Sequence, residues 1–215
     1  MQRTVVILLA MLLATTTLAW ADMMVSGNTT GSYFNSGGQS VEGGALTFTG
    51  NAFGPYTIPN GGSKSSFLVG TFGLKNCVMC GFDNDTFDLK VDLTLPTGIL
   101  GGNDPYYFTA DLKGGFFIGL GGVGVVFDQW YKDFQFNNGT IEGSFRLNIE
   151  GRGTDGDIDL AVGSIFNSAN TNVNANISNV VVRNVPTATT PEPTSLLLLG
   201  TLLGGLVFRL RRKAA

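Results

Sequence analysis

From residue 86 to residue 95 the chain alternates without a fault. Phe87, Leu89, Val91, Leu93 and Leu95 fall on one parity, and Thr86, Asp88, Lys90, Asp92 and Thr94 on the other. A period of two marks a strand with one buried and one wet face, because successive side chains leave a pleated backbone on opposite sides. Residues 140–149 repeat the pattern: Ile141, Phe145, Leu147 and Ile149 stand against Thr140, Glu142, Ser144, Arg146 and Asn148. A third run, 157–166, buries Ile158, Leu160 and Val162. Fainter runs cover 45–49, 66–72, 106–112, 173–182 and 116–127, the last broken by Gly119–Gly122. Asn60-Gly61, Asn138-Gly139 and the glycine pairs at 61–62, 101–102 and 114–115 read as hairpin turns. No long apolar rhythm of 3.6 residues occurs between Asp22 and Thr190, and good helix formers are scarce there.

Short strands separated by turns predict an all-β domain, an antiparallel β-sandwich or jelly roll, with a closed barrel as the alternative. An outer-membrane barrel would show apolar outward faces, and these are charged. The expected layout is a signal peptide at 1–21, an exported β domain at 22–184, a Pro/Thr linker at 185–194, and an apolar sorting helix with a basic end at 195–213. Residues 22–43, rich in Gly, Ser, Asn and Thr, read as a loose lead-in with one short strand.

Two features of composition narrow the chemistry. The chain has no His, which removes Ser-His-Asp and Cys-His catalysis and His-ligated zinc or copper. Of the 13 basic residues, Arg3, Arg209, Arg211, Arg212 and Lys213 lie in the end segments, and Glu192 is the single acidic residue there. Residues 22–190 therefore hold 8 basic against 15 acidic residues, a net charge of about −7. An acidic body does not fit nucleic acid, whose phosphates need a basic face.

Both ends read as targeting segments. Arg3 precedes an apolar run over 5–14, and Ala19 and Ala21 supply small residues at the −3 and −1 positions before Asp22. That is the plan of a secretory signal peptide, with an uncleaved anchor as the alternative. At the other end Pro191, Glu192 and Pro193 precede an uncharged apolar run over 196–208, and Arg209, Arg211, Arg212 and Lys213 follow. The prolines keep a helix from running back into the body. The basic cluster holds the terminus on the cytoplasmic side. The 15 residues 194–208 would make a helix of roughly 22 Å. A hydrocarbon core is about 30 Å thick, so the span is short and suits a transient hold.

Pro191-Glu192-Pro193, the apolar run and the Arg-rich end together resemble the PEP-CTERM protein-sorting domain. The resemblance covers about residues 190–213. It implies recognition near Pro-Glu-Pro by an exosortase, a membrane protease-transpeptidase. It also implies a Gram-negative-type bacterium, often one that makes exopolysaccharide. Members vary widely upstream of the tail, so the resemblance predicts routing and leaves the body open. A plain single-pass anchor is the rival reading.

Within the body, Cys77 and Cys80 are the only cysteines. In an exported β domain they read as a local disulfide, with a redox pair or free thiols as the alternatives. Asp83, Asp85 and Asp88 form one acidic cluster, and Asp155, Asp157 and Asp159 another. Either would take Ca2+, or be solvated turn and strand surface. The second is no EF-hand, because Phe166 stands where the bidentate Glu belongs. Trp130, Tyr131, Tyr106 and Tyr107 are candidates to stack on sugar rings, against the commoner role of core aromatics. The Asn-x-Ser/Thr triplets at Asn28, Asn84, Asn138 and Asn176 read as chance in a bacterial chain. The expectation is a non-enzymatic surface or extracellular-matrix protein. The alternatives are a carbohydrate- or calcium-binding module in exopolysaccharide, and a carboxylate-dependent glycan hydrolase.

Overall fold

The computed structural model describes residues 21–35, 40–41, 44–75, 81–82, 84–100, 106–117, 120–151, 158–162 and 168–185. The chain divides into two compact units, Met1–Asn184 and Val185–Ala215. The first unit is built of strands: β1 (Asp22–Phe34), β2 (Ser40–Val41), β3 (Leu46–Gly50), β4 (Ala52–Pro59), β5 (Lys64–Leu74), β6 (Asp85–Leu95), β7 (Ile99–Leu100), β8 (Tyr106–Phe117), β9 (Leu120–Phe127), β10 (Tyr131–Asn137), β11 (Ile141–Glu150), β12 (Ile158–Val162) and β13 (Ala169–Asn184). They form two sheets. The first runs β12-β9-β8-β6-β1-β2, with β4 also on β1, and the second runs β3-β5-β13-β11-β10-β7. All pairings between these strands are antiparallel.

The two sheets meet through aromatic rings. Phe87 of β6 touches Phe48 of β3 at 5.2 Å and Phe72 of β5 at 4.8 Å. Phe53 of β4 meets Phe67 of β5 at 5.3 Å, and Tyr106 of β8 meets Phe134 of β10 at 4.6 Å. One buried cluster joins both inner faces, with Val91, Val125, Phe145, Leu147 and Ile177 among its members. Burial of this apolar surface is the dominant favourable term in folding.

β6 and β11 carry the alternation expected of them, and β5, β8, β9, β12 and β13 overlap the expected runs. Three readings need correction. Residues 22–34 are no loose lead-in; they form a 13-residue strand that pairs with β6 on one edge and with β4 and then β2 on the other. Gly114-Gly115 makes no hairpin, and lies inside β8 opposite Val123 and Gly122. Asn60-Gly61 does not join paired strands; it carries the chain from the first sheet to the second. That turn is fastened to β13 instead: Gly61 N donates to Val180 O at 2.8 Å, and Val182 N donates to Asn60 Oδ1 at 2.8 Å. Asn138-Gly139 does close a hairpin, between β10 and β11, with Asn138 Oδ1 accepting from Thr140 N and Ile141 N.

Candidate functional site

The outer faces of the two sheets differ in chemistry. On the first sheet, neighbouring strands set Asn28 against Asp92, Thr30 against Lys90 and Lys90 against Tyr107. Lys90 and Asp92 form an ion pair at 3.0 Å. This is the charged solvent face that the alternation of β6 predicts.

The second sheet is dominated by amides and hydroxyls. β13 turns Val173, Ala175 and Ile177 into the core, so Asn170, Asn172, Asn174 and Asn176 all point outward. Across the sheet, Asn176 faces Asn148, and Asn148 faces Tyr131. The next row sets Asp133 against Arg146 and Arg146 against Ser178; the one beyond sets Leu100, Gln135, Ser144 and Val181 side by side. On the far side Asn172 lies opposite Thr71, and Thr71 opposite Thr49.

Hydrogen bonds hold the middle of this face. Asn148 Nδ2 donates to Asn176 Oδ1 at 2.6 Å and to Ser178 Oγ at 3.1 Å. Asn176 Nδ2 donates to Glu150 Oε1 at 2.9 Å, and Ser66 Oγ donates to Glu150 Oε2 at 2.5 Å. Three strands, β5, β11 and β13, are thereby tied by side chains on their outer surface. Asn148 is buried within this network although it faces outward.

An aromatic and charged corner adjoins it. Arg146 donates through Nε to Asp133 Oδ1 at 2.7 Å and through Nη2 to Asp133 Oδ2 at 2.8 Å. This hydrogen-bonded pair, assisted by the charge of Arg146, holds the Asp133 carboxyl below the usual carboxylate range and raises the Arg146 guanidinium. The guanidinium also lies 4.0 Å from the Tyr131 ring centre, a cation–π stack. Trp130 meets Tyr131 edge to face at 5.4 Å and is 49 % exposed.

The expected site residues scatter. Ala19, Cys77, Cys80, Asp83, Asp155, Asp157, Pro191, Glu192, Pro193, Arg209, Arg211, Arg212 and Lys213 lie outside the described residues. Ala21 stands directly before β1, packed against the core. Asp85 lies opposite Leu112, while Asp88 lies between Ser32 and Thr109, three residues on and so of the other parity. Asp159 is exposed on β12 opposite Gly124. Among the described residues no three His, Cys, Asp or Glu side chains gather to hold a metal ion. Of the four aromatics, Tyr106 packs on Phe134, while Tyr107 and Trp130 are exposed. Asn138 and Asn176, from the glycosylation-like triplets, have turn-closing and network roles. The amide array escaped the sequence reading, although asparagine at every second position from 170 to 176 was its signal.

Among the described residues no helix is long and apolar enough to cross a membrane; the apolar segment 195–213 lies outside them. No curated protein and no solved structure matches the chain. Residues 189–213 match the family model of the PEP-CTERM protein-sorting motif, a tail that implies export and membrane-associated sorting by an exosortase.

Proposed function

We propose that this chain is a non-enzymatic surface or extracellular-matrix protein whose body is an antiparallel β-sandwich of jelly-roll type, delivered by its tail. The carrying observation is the sorting motif at 189–213. Residues 1–21 would be removed on export, and the apolar segment would hold the chain in the inner membrane until an exosortase acts near Pro191-Glu192-Pro193. Two sheets that share one aromatic core support the sandwich reading. The non-enzymatic reading draws on the absence of His from the sequence.

The test is the intact mass and membrane fractionation of the native protein, with Pro191-Glu192-Pro193 intact or replaced by three alanines. The expected mature mass lacks residues 1–21 and the tail, and the motif variant keeps its tail in the membrane fraction. A wild-type protein that retains the tail in the membrane, indistinguishable from the variant, would make the segment a simple single-pass anchor.

A further inference from the structure

We propose that the outer face of the second sheet binds a neutral polysaccharide, with Trp130 as its stacking anchor. Four observations lead there. First, each basic strand residue on this polar face already stands opposite a carboxylate. Arg146 and Asp133 bind each other through two hydrogen bonds, and Glu150 accepts from Asn176 and Ser66. Arg183 lies opposite Glu142, and Glu150 keeps its charge because its donors are neutral, so no cation of these strands is left over for an acidic polymer and a neutral one fits better. Second, hydrogen-bonding capacity remains. The side chains of Asn170 and Asn174 make no hydrogen bond among the described residues, and Asn172 uses only its Oδ1, toward Thr71. Each amide offers two donors beside an acceptor, which is the pairing that neighbouring sugar hydroxyls require.

Third, apolar surface is interspersed at the same face. Among the described residues five large hydrophobics are exposed; Leu100 and Val181 lie in one row of this face, and Trp130 meets its Tyr131 edge to face. Sugar rings present C–H faces and hydroxyl edges, so they suit a surface that alternates aromatic or aliphatic patches with amides. One face of Tyr131 is occupied by Arg146, whereas Trp130 is half-exposed. Fourth, the surface is long and pre-ordered. From Trp130 to Asn137 the backbone runs about 24 Å at ~3.4 Å per residue. The Asn148–Asn176–Glu150 network fixes side chains before any ligand arrives, which lowers the entropy cost of binding. An open sheet face cannot enclose a small molecule, so the fitting ligand is a chain that repeats its contacts along the face. The inference rests on the exported reading only for where such a polymer is met.

The test is affinity electrophoresis of the full chain, in mild detergent, through gels containing hydroxyethylcellulose, galactomannan, dextran or alginate. Retardation by at least one neutral polymer is expected, with none by anionic alginate. Trp130→Ala should weaken it by about tenfold or more, the scale of losing one well-placed aromatic contact. Asn174→Ala should weaken it less, with the circular dichroism of both variants unchanged. Migration unaffected by all three neutral polymers would overturn the proposal, as would retardation by alginate alone or retardation that survives both substitutions. Concentration-dependent dimerisation lost in Trp130→Ala, without retardation, would assign the face to a second copy of the chain. None of these failures touches the mass of the processed protein, so the sorting reading stands or falls separately.

Discussion

Thr29 and Tyr33 are two hydroxyls that β1 turns into the core, and they are treated differently. Thr29 Oγ1 donates to Val69 O and accepts from Asn51 N at 3.0 Å, so it links β1, the β3–β4 junction and β5. Thr29→Val keeps the shape and removes the hydroxyl's bonds, while Asn51 N still donates to Val69 O at 3.2 Å. The expected loss is about 1 kcal/mol, read from the urea midpoint, with Thr29→Ser close to wild type; equal stability of all three would show the link to be idle. The Tyr33 hydroxyl is buried without a hydrogen-bond partner among the described residues, and burial pushes its pKa far above the ordinary value. Tyr33→Phe should therefore be neutral or stabilising by up to about 1 kcal/mol at neutral pH. Alkali adds a second test. The unfolded phenol ionises near pH 10 while the folded one stays neutral. Stability is unaffected below that pH and falls above it by about 1.4 kcal/mol per pH unit from this group. The wild-type protein should lose stability faster than Tyr33→Phe above pH 10, and parallel curves would refute the assignment.

Elements show why some strands were legible and others were not. β6 and β11 announce themselves because their inward positions carry large side chains and their outward ones carry charge. β1 hides because two inward positions are glycines. A Cβ on Gly31 would stand 2.5 Å from the Phe87 ring and 2.7 Å from the Phe48 ring, and one on Gly27 would meet Phe53. The apolar mass that completes the pattern of β1 sits on its neighbours. β10 hides for another reason: Lys132 takes an inward parity, its ammonium 5.5 Å from the Phe108 ring centre, leaving only Phe134 and Phe136 to mark the strand. β4 contains Pro55 and ends at Pro59, residues that read as breakers. The crossing from β3 to β4 makes the most specific demand. A Cβ on Gly50 would lie 2.6 Å from the Thr29 carbonyl carbon. Gly50→Ala should therefore cost about 3 kcal/mol. Gly61, with φ of 73° and open space around it, should cost only about 1 kcal/mol as Gly61→Ala. Comparable losses at the two sites, measured by thermal unfolding, would mean that the crossing is looser than this packing requires.

At the scale of the whole molecule, the routing signal was fully legible and the amide face was not, for one physical reason. A sorting tail is read as a linear string, so Pro191-Glu192-Pro193, the apolar run and the basic end carry their meaning in order. A sheet face is assembled from strands far apart in sequence: Tyr131, Asn148 and Asn176 become neighbours only through the antiparallel register. The same separation predicts how the molecule tolerates loss of its tail. The described buried core runs from Met23 to Val182, and β13 ends at Asn184, where the second compact unit begins. On the proposed processing, in which the tail is removed, the body has to stand without it. A chain of residues 22–184 should therefore unfold within about 0.5 kcal/mol of one that retains the tail, the range of changes that touch no core feature. Ending the chain at Asn179 instead removes Val180 and Val182 from the core, along with both hydrogen bonds that fasten the Asn60-Gly61 turn. That shorter chain should be destabilised by several kcal/mol or fail to fold. If the 22–184 chain aggregates or melts early, the tail is part of the folded body, and its removal by an exosortase would need a different account.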